Sequence, residues 1–280
     1  MALFPYLTDA RAPLTREVSV LDEFGATRSV SIPAERALTV FVDKRELVTL
    51  MTLGAAPELL VLGYLRNQRL VDSVTDIESI TVDWDVHSAA VKTRAGIERF
   101  DEKTAKRVVT TGCGQGTVFG DMMSDLHSLS LPAANEPSAR LSQAVLYGLL
   151  NAMRLQESTY KSAGSVHGCA LFEQDKLLTF VEDVGRHNAI DTIAGWMWMN
   201  SVPGADKIFY TTGRLTSEMV IKSAQMGVPI IVSRSGVTQM GLELAGQLGL
   251  ALFGRATNRH FICYSGFDRF DSQPEPPRTP

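Results

Sequence analysis

The chain has 280 residues, 45% hydrophobic and 21% charged, with a net charge of −4. That is an ordinary globular balance, long enough for two modest domains or one large one. The acidic balance argues against a nucleic-acid partner, no apolar run reaches the length of a membrane span, and three cysteines give no disulfide framework.

The start, MALFPYLTDARAP, lacks a basic region followed by an apolar one, so no signal peptide is expected and the protein is read as cytoplasmic. Short β-branched runs follow at REVSVLD, TRSVSI, ALTVFVD, RELVTLMTL, ESITVDW and KRVVTT, separated by Gly, Pro, Asp and Lys. One helix interrupts them, with Pro57 and Glu58 in its first turn and ELLVLGYL behind. These elements predict a β-rich N-terminal domain over residues 1–111. Residues 112–137 read as a mobile loop that carries Cys113, glycine-rich at its start and with Pro132 and Pro137 near its end.

The rhythm then changes. Ser138 or Asn135 is positioned to cap a helix in which Leu141, Val145, Leu149 and Met153 fall at helical spacing. GCALF and LLTFV are predicted strands joined by EQDK as a hairpin. Helices over about 186–199, 215–226 and 238–248 alternate with the strands KIFYTT, VPIIVS and ALF, and FICY is the last strand. Strand and helix alternating through short connections predict an α/β domain over 138–270, with a mixed, mostly parallel sheet covered by helices. The tail from 271 to 280 is expected to be disordered.

Ligands of open α/β sheets lie beyond the carboxyl ends of the strands. Four such positions carry arginine beside glycine or hydroxyl residues: Arg186 with His187; Gly213 with Arg214; Ser233, Arg234 and Ser235; and Gly254 and Arg255, followed by Thr257, Asn258, Arg259 and His260. Helix N-termini offer unpaired N–H groups, glycine permits close approach, and arginine grips phosphate with two parallel bonds. The rim therefore points to a phosphorylated ligand. The competing reading has these arginines cap loops or pair with Glu182, Asp183, Asp191 and Glu218, and has His187 cap its helix. GCGQGTVFG does not fit the dinucleotide fingerprint, and there is no Walker A lysine motif.

Cys113, between flanking glycines, is the candidate reactive thiol, against the alternative of an incidental loop cysteine. Cys169 and Cys263 fall within predicted strands and read as packing residues. Val166-His167-Gly168-Cys169 is similar to the zinc turn of nucleobase deaminases, but Cys169 stands where their Glu is required and no C-x-x-C exists. No metal ligands are assigned.

Glu182-Asp183-Val184-Gly185-Arg186-His187-Asn188-Ala189-Ile190-Asp191 resembles the central signature of the FdhD-type formate dehydrogenase accessory proteins. TGRLTSEMVIKSA, the segment from Gly227 to Gly254, ELLVLGYL and TGCGQG resemble further parts of that family, so the likeness runs from about residue 45 to 264. The resemblance implies a cytidine-deaminase-like three-layer α/β/α C-terminal domain with a smaller β-rich N-terminal domain, in a homodimer. It implies a sulfurtransferase-type carrier rather than a metabolic enzyme: Cys113 receives a persulfide from a cysteine desulfurase. The sulfur passes to Mo-bis(molybdopterin guanine dinucleotide), or its tungsten form, for delivery to the formate dehydrogenase catalytic subunit. GDP is then a partial mimic of the ligand, and the stretch Arg255, Ala256, Thr257, Asn258, Arg259 and His260 contacts it. Gly116 stands where the family commonly has a second cysteine, Arg255 where Phe is common and Thr257 where Arg is common. The missing cysteine keeps open a cofactor-binding and insertion chaperone that transfers no sulfur.

Overall fold

The computed structural model describes residues 4–98, 100, 108–109, 116–117, 129 and 131–273. Cys113 lies outside them. By contacts the chain groups into two units, each assembled from separated stretches: Met1–Leu126, Glu157–Cys169 and Phe180–Val202 in the first, His127–Gln156, Ala170–Thr179 and Pro203–Pro280 in the second. No helix among the described residues is long and apolar enough to cross a membrane.

In the first unit, strands β1 (Tyr6–Leu7), β4 (Arg36–Val42), β5 (Arg45–Thr52), β6 (Ile77–Asp83) and β7 (Ser88–Thr93) form one sheet in the order β1-β6-β7-β4-β5. β4 and β5 are a hairpin whose two turn residues, Asp43 and Lys44, both have positive φ (47° and 70°), the twist-matched turn for a two-residue loop. β2 (Thr15–Leu21) and β3 (Thr27–Pro33) pair as a separate ribbon. Helix α1 (Pro57–Asn67) starts at the proline, and its Glu58 accepts hydrogen bonds from Thr8 Oγ1 (2.6 Å) and Ala10 N (2.7 Å). Leu38, Val40 and Leu50 of the sheet pack with Leu60 and Leu65 of the helix and with Ile80 in one core. β7, SAAVKT, has no β-branched run and is not legible as a strand in the sequence. Its place between β6 and β4 supplies the strand conformation that its composition does not. β8 (Val108–Val109) and β9 (Gly116–Thr117) pair antiparallel on either side of the stretch that holds Cys113.

Helix α4 (Arg186–Met199) belongs to this unit through α1. A Cβ at Gly63 would lie 1.6 Å from the Asp191 carbonyl oxygen, and one at Gly195 2.1 Å from that of Leu59. Only glycine fits, so the helices touch backbone to backbone. Asn67 Nδ2 donates to Asp191 Oδ1 (2.7 Å), Arg66 Nη1 donates to the Ala194 carbonyl (2.9 Å), and the Arg66 guanidinium sits 5.0 Å from the Trp198 ring centroid. Burial pulls the Arg66 pKa down to about 10.

The start of α4 is held by a buried carboxylate at the end of β12 (Lys176–Asp183). Asp183 accepts from Thr52 Oγ1 (2.5 Å), Asn188 Nδ2 (3.0 Å) and the backbone N–H groups of Leu53 and Gly185. Asn188 Nδ2 also donates to the Met51 carbonyl (2.6 Å). All four partners of Asp183 are donors, yet burial dominates and pushes its pKa up to about 6. Glu182 accepts from the backbone N–H groups of Thr159 and Tyr160 at the start of the short helix α3 (Thr159–Ala163).

The second unit carries a six-stranded sheet in the order β12-β11-β13-β14-β15-β16, where β11 is His167–Glu173, β13 Lys207–Thr211, β14 Ile230–Ser233, β15 Ala251–Thr257 and β16 His260–Ser265. β13, β14 and β15 pair in parallel, and every residue of β13 and β14 is buried, as expected for strands covered on both faces. Helices α5 (Ser217–Gln225) and α6 (Gln239–Leu248) form the crossovers between them. Helix α2 (Gln143–Leu155) begins later than the expected cap at Ser138 or Asn135: Pro137–Ala139 form a 3-10 turn, β10 (Leu141–Ser142) pairs with β17 (Phe270–Asp271), and Ser142 Oγ caps the helix through Val145 N. Arg269, only 3% exposed, donates to the carbonyls of Gly249 (2.8 Å), Pro132 (2.6 Å), Ala133 and Ala139 (3.4 Å each). It thereby pins residues 132–139 to the sheet's end.

Two outcomes follow. Gly63→Ala forces α1 and α4 apart and lowers the unfolding free energy by about 3 kcal/mol, read from denaturant titration. Asp183 has a raised folded-state pKa, so the folded protein holds an extra proton between pH ~4 and ~6 and this group's contribution to stability declines as pH rises through that window. The stability difference between wild type and Asp183→Asn therefore shrinks, by up to roughly 3 kcal/mol, between pH 4 and 7; a pH-independent difference contradicts it.

Candidate functional site

Two neighbouring strand ends in the second unit use one device. Thr211 and Ser233 are partners in the β13–β14 register. Each hydroxyl accepts the backbone N–H two residues on: Gly213 N to Thr211 Oγ1 (3.0 Å) and Ser235 N to Ser233 Oγ (2.9 Å). Such turns let the chain leave a buried strand without orphaning its backbone groups. Ser233 Oγ also donates to the Gly213 carbonyl (2.6 Å), and Arg234 N donates to the Thr211 carbonyl (3.0 Å). Leu215 N bonds the Gly236 carbonyl (2.9 Å) and Thr238 N bonds the Leu215 carbonyl (3.1 Å). The turns bearing Gly213-Arg214 and Ser233-Arg234-Ser235 are thus sewn together.

The third turn joins them through Arg255, whose N–H donates to the Ser235 carbonyl at 2.7 Å. Gly254 has no room for a side chain, since its Cβ would lie 2.8 Å from Tyr264 Cε2 and 3.0 Å from the Ser235 carbonyl oxygen. Arg255 itself has φ +50°, a conformation few non-glycine residues adopt. The expected loop after ALF is instead the end of a longer strand: β15 runs to Thr257 and pairs with β16, with Ala256 buried and register shifts at 252/253 and 254/257. Asn258, with φ +52°, and Arg259 form the hairpin turn, and His260 opens β16.

Arg214, Arg234 and Arg255 are all exposed. Arg186 and His187, the first residues of α4 in the first unit, are each only 4% exposed. Of the four acids nominated as arginine partners, Glu182, Asp183 and Asp191 accept hydrogen bonds from backbone, hydroxyl and amide donors, and Glu218 is buried on α5. Cys169 is fully buried in β11, and Cys263 is half-buried in β16, where burial pushes its thiol up to about 11. Among the described residues no cluster of three or more His, Cys, Asp and Glu is placed to hold a metal.

The sequence reading missed Thr211 and a stripe on α2. Tyr147, Asn151 and Arg154 line a cleft of about 390 Å³ together with Asn258 and Arg259. The signal was present as polar residues at i, i+4 and i+7 on an otherwise apolar helix.

Known proteins are similar to this chain in sequence and in fold. The "Sulfur carrier protein FdhD" of Bacillus subtilis (strain 168) is 30% identical over 236 residues, covering 84% of this chain and 88% of that protein. The protein of the same name from Bacillus licheniformis is 29% identical over 235 residues, with 84% and 88% covered. A crystal structure described as a formate dehydrogenase accessory protein from Desulfotalea psychrophila has the same fold, with a TM-score of 0.72 and 23% identity over 92% of this chain and 100% of that one. The model of the FdhD/NarQ family matches residues 33–271. This chain belongs to the FdhD/NarQ family.

Proposed function

We propose that this protein is a sulfur carrier for formate dehydrogenase maturation, which holds Mo-bis(molybdopterin guanine dinucleotide) by its phosphates on the strand-end rim and delivers sulfur to it from Cys113. The observation that carries the reading is that exposed Arg214, Arg234 and Arg255 stand on two turns and a strand segment whose backbones are bonded to one another. Family membership and the names of the curated relatives support it. Guanidinium groups match the pyrophosphates of such a ligand in charge and in paired donors. The assignment extends along β15 and its turn, from Gly254 to His260; for Arg186 and His187, in the first unit, the family resemblance alone supports cofactor contact. The metal-pterin supplies the sulfur acceptor; the chain binds its nucleotide ends and presents the sulfur.

The loading step is thiol exchange. The Cys113 thiolate attacks the outer sulfur of a desulfurase persulfide, the donor S–S bond breaks, and the desulfurase cysteine leaves as a thiolate. The outer sulfur remains on Cys113 with no net oxidation. One thiol suffices, so Gly116 in place of a second cysteine does not prevent it. The proposed partners are a cysteine desulfurase and the formate dehydrogenase catalytic subunit, and the proposed assembly is a homodimer with a cytidine-deaminase-like second domain and a cysteine-bearing connection over 112–137. Gly116 also favours a second reading: a chaperone that binds and inserts the cofactor without transferring sulfur.

Mass spectrometry of the chain after incubation with a desulfurase and cysteine shows a gain of one sulfur on Cys113 under the carrier reading and none under the chaperone reading. In calorimetric titration, Arg214→Ala and Arg234→Ala each weaken GDP binding by about tenfold or more, the loss of one charge-assisted contact. Unchanged affinity in both variants refutes the rim assignment.

A further inference from the structure

The two turns that carry Arg214 and Arg234 are matched in length. Thr211 pairs with Ser233 at the last register position of β13 and β14, and the chains beyond meet again at Leu215 and Val237 in a parallel bridge. Residues 212–214 and 234–236 lie between these two pairs, so both turns leave and re-enter one register. Arg214 closes the first turn and Arg234 opens the second. Their separation is therefore set by how the turns are held against each other.

Thr211 and Ser233 hold the turns reciprocally. Thr211 grips its own turn with its hydroxyl, which accepts from Gly213 N (3.0 Å), and the neighbouring turn with its carbonyl, which accepts from Arg234 N (3.0 Å). Ser233 grips its own turn by accepting from Ser235 N (2.9 Å) and the neighbouring one by donating to the Gly213 carbonyl (2.6 Å). A strand-end hydroxyl that only serves local backbone groups needs the first kind of bond alone. The bond from Ser233 to Gly213 is the additional one, and it joins the backbone beside Arg234 to the backbone beside Arg214. Both residues are 0% exposed. Ser233, a candidate ligand contact by its place in the sequence, is thus sealed from a ligand, with its hydroxyl both donating and accepting.

We infer that Thr211 and Ser233 are positioning residues of the anion site: neither touches the ligand, and their hydroxyls set the spacing of Arg214 and Arg234. The inference rests on the rim being a phosphate site and adds the residues that tune its grip. The two phosphoryl groups of a pyrophosphate are joined through one oxygen and stand at a fixed short distance. Two guanidinium forks engage both of them only from Cα positions held at a matching separation. A turn that has lost its hydroxyl clasp samples other separations, and affinity falls with the fraction of chains ready to bind.

Calorimetric titration of the full chain with GDP, paired with denaturant titration, tests this. Thr211→Val keeps the branching and removes the hydroxyl; it and Ser233→Ala each weaken GDP by about fivefold, the effect of one neutral hydrogen bond or two. Thr211→Ser retains the hydroxyl and stays within about twofold of wild type. In a background carrying both Arg214→Ala and Arg234→Ala, titrated at millimolar GDP, either substitution costs less than about twofold, because the groups it positions are gone. A residue that only stabilises the fold lowers the unfolding free energy in both backgrounds and shows no such dependence of affinity on the arginines. Unchanged GDP affinity in Thr211→Val, an equal loss in Thr211→Ser, or a loss of full size in the double-alanine background overturns the inference. The Thr211 pair decides alone where Ser233→Ala does not fold. The rim is judged separately: weaker GDP binding on Arg214→Ala or Arg234→Ala upholds it whatever the hydroxyl variants do.

Discussion

The backbone contact between α1 and α4 at Gly63 and Gly195 organises the first unit. A methyl group at either glycine would overlap a carbonyl oxygen of the facing helix, so the two helices meet backbone to backbone. At that separation short bridges reach across: Asn67 meets Asp191, and Arg66 meets the Ala194 carbonyl. The N-terminal end of α4 is held independently, where Asp183 collects donors from Thr52, Leu53, Gly185 and Asn188. A helix fixed at its middle and at its first turn has no freedom to slide. Most of the signature from Glu182 to Asp191 is therefore structural machinery, and it sets where Arg186 and His187 begin their helix.

The second unit solves a different problem. Three parallel strands emerge from a buried sheet side by side, and their turns must be held at fixed spacing without a covalent link. Thr211 and Ser233 do this with hydroxyls that serve the following turn, and Ser233 additionally bonds the neighbouring one. The backbone then carries the pattern onward, from the Thr211 carbonyl to Arg234 N and from the Ser235 carbonyl to Arg255 N. Arginine side chains are long and costly to order, at up to about 2 kcal/mol each. Fixing their Cα positions on sewn segments leaves only side-chain freedom to be lost on binding the proposed anion, which is the physical content of preorganisation.

Much of the α/β half was legible because its signals are local. The runs KIFYTT and VPIIVS and the helices between them follow from periodicity and short connections, and the observed bounds differ from the expected ones by a few residues. What escaped depends on distant partners. Ser138 and Asn135 are good cap residues, but the Leu141–Ser142 pairing with Phe270–Asp271 decides where α2 begins. β7 becomes a strand only because β6 and β4 flank it. Gly63 and Gly195 read as isolated, mildly unfavourable glycines within helices, and nothing local marks them as one contact. Arg269 carries no local signal in the sequence, yet it is buried against four carbonyls. The arginine rim was legible as a set of residue types at strand ends. Its linkage through Thr211 and Ser233 was not, because a threonine and a serine closing strands are ordinary in composition.

The acidic net charge of −4 is compatible with an anionic ligand once the acids are located. Glu182, Asp183 and Asp191 are each at most 8% exposed, and each accepts from N–H or O–H donors of the fold. Arg214, Arg234 and Arg255 face solvent instead. The potential that an approaching phosphate meets is set by charges within roughly a Debye length, about 8 Å at physiological ionic strength, and by how far each is screened. The exposed charges that the sewn segments themselves carry at Arg214, Arg234 and Arg255 are positive, although the chain's net charge is not. Distribution, rather than sum, governs what the site attracts.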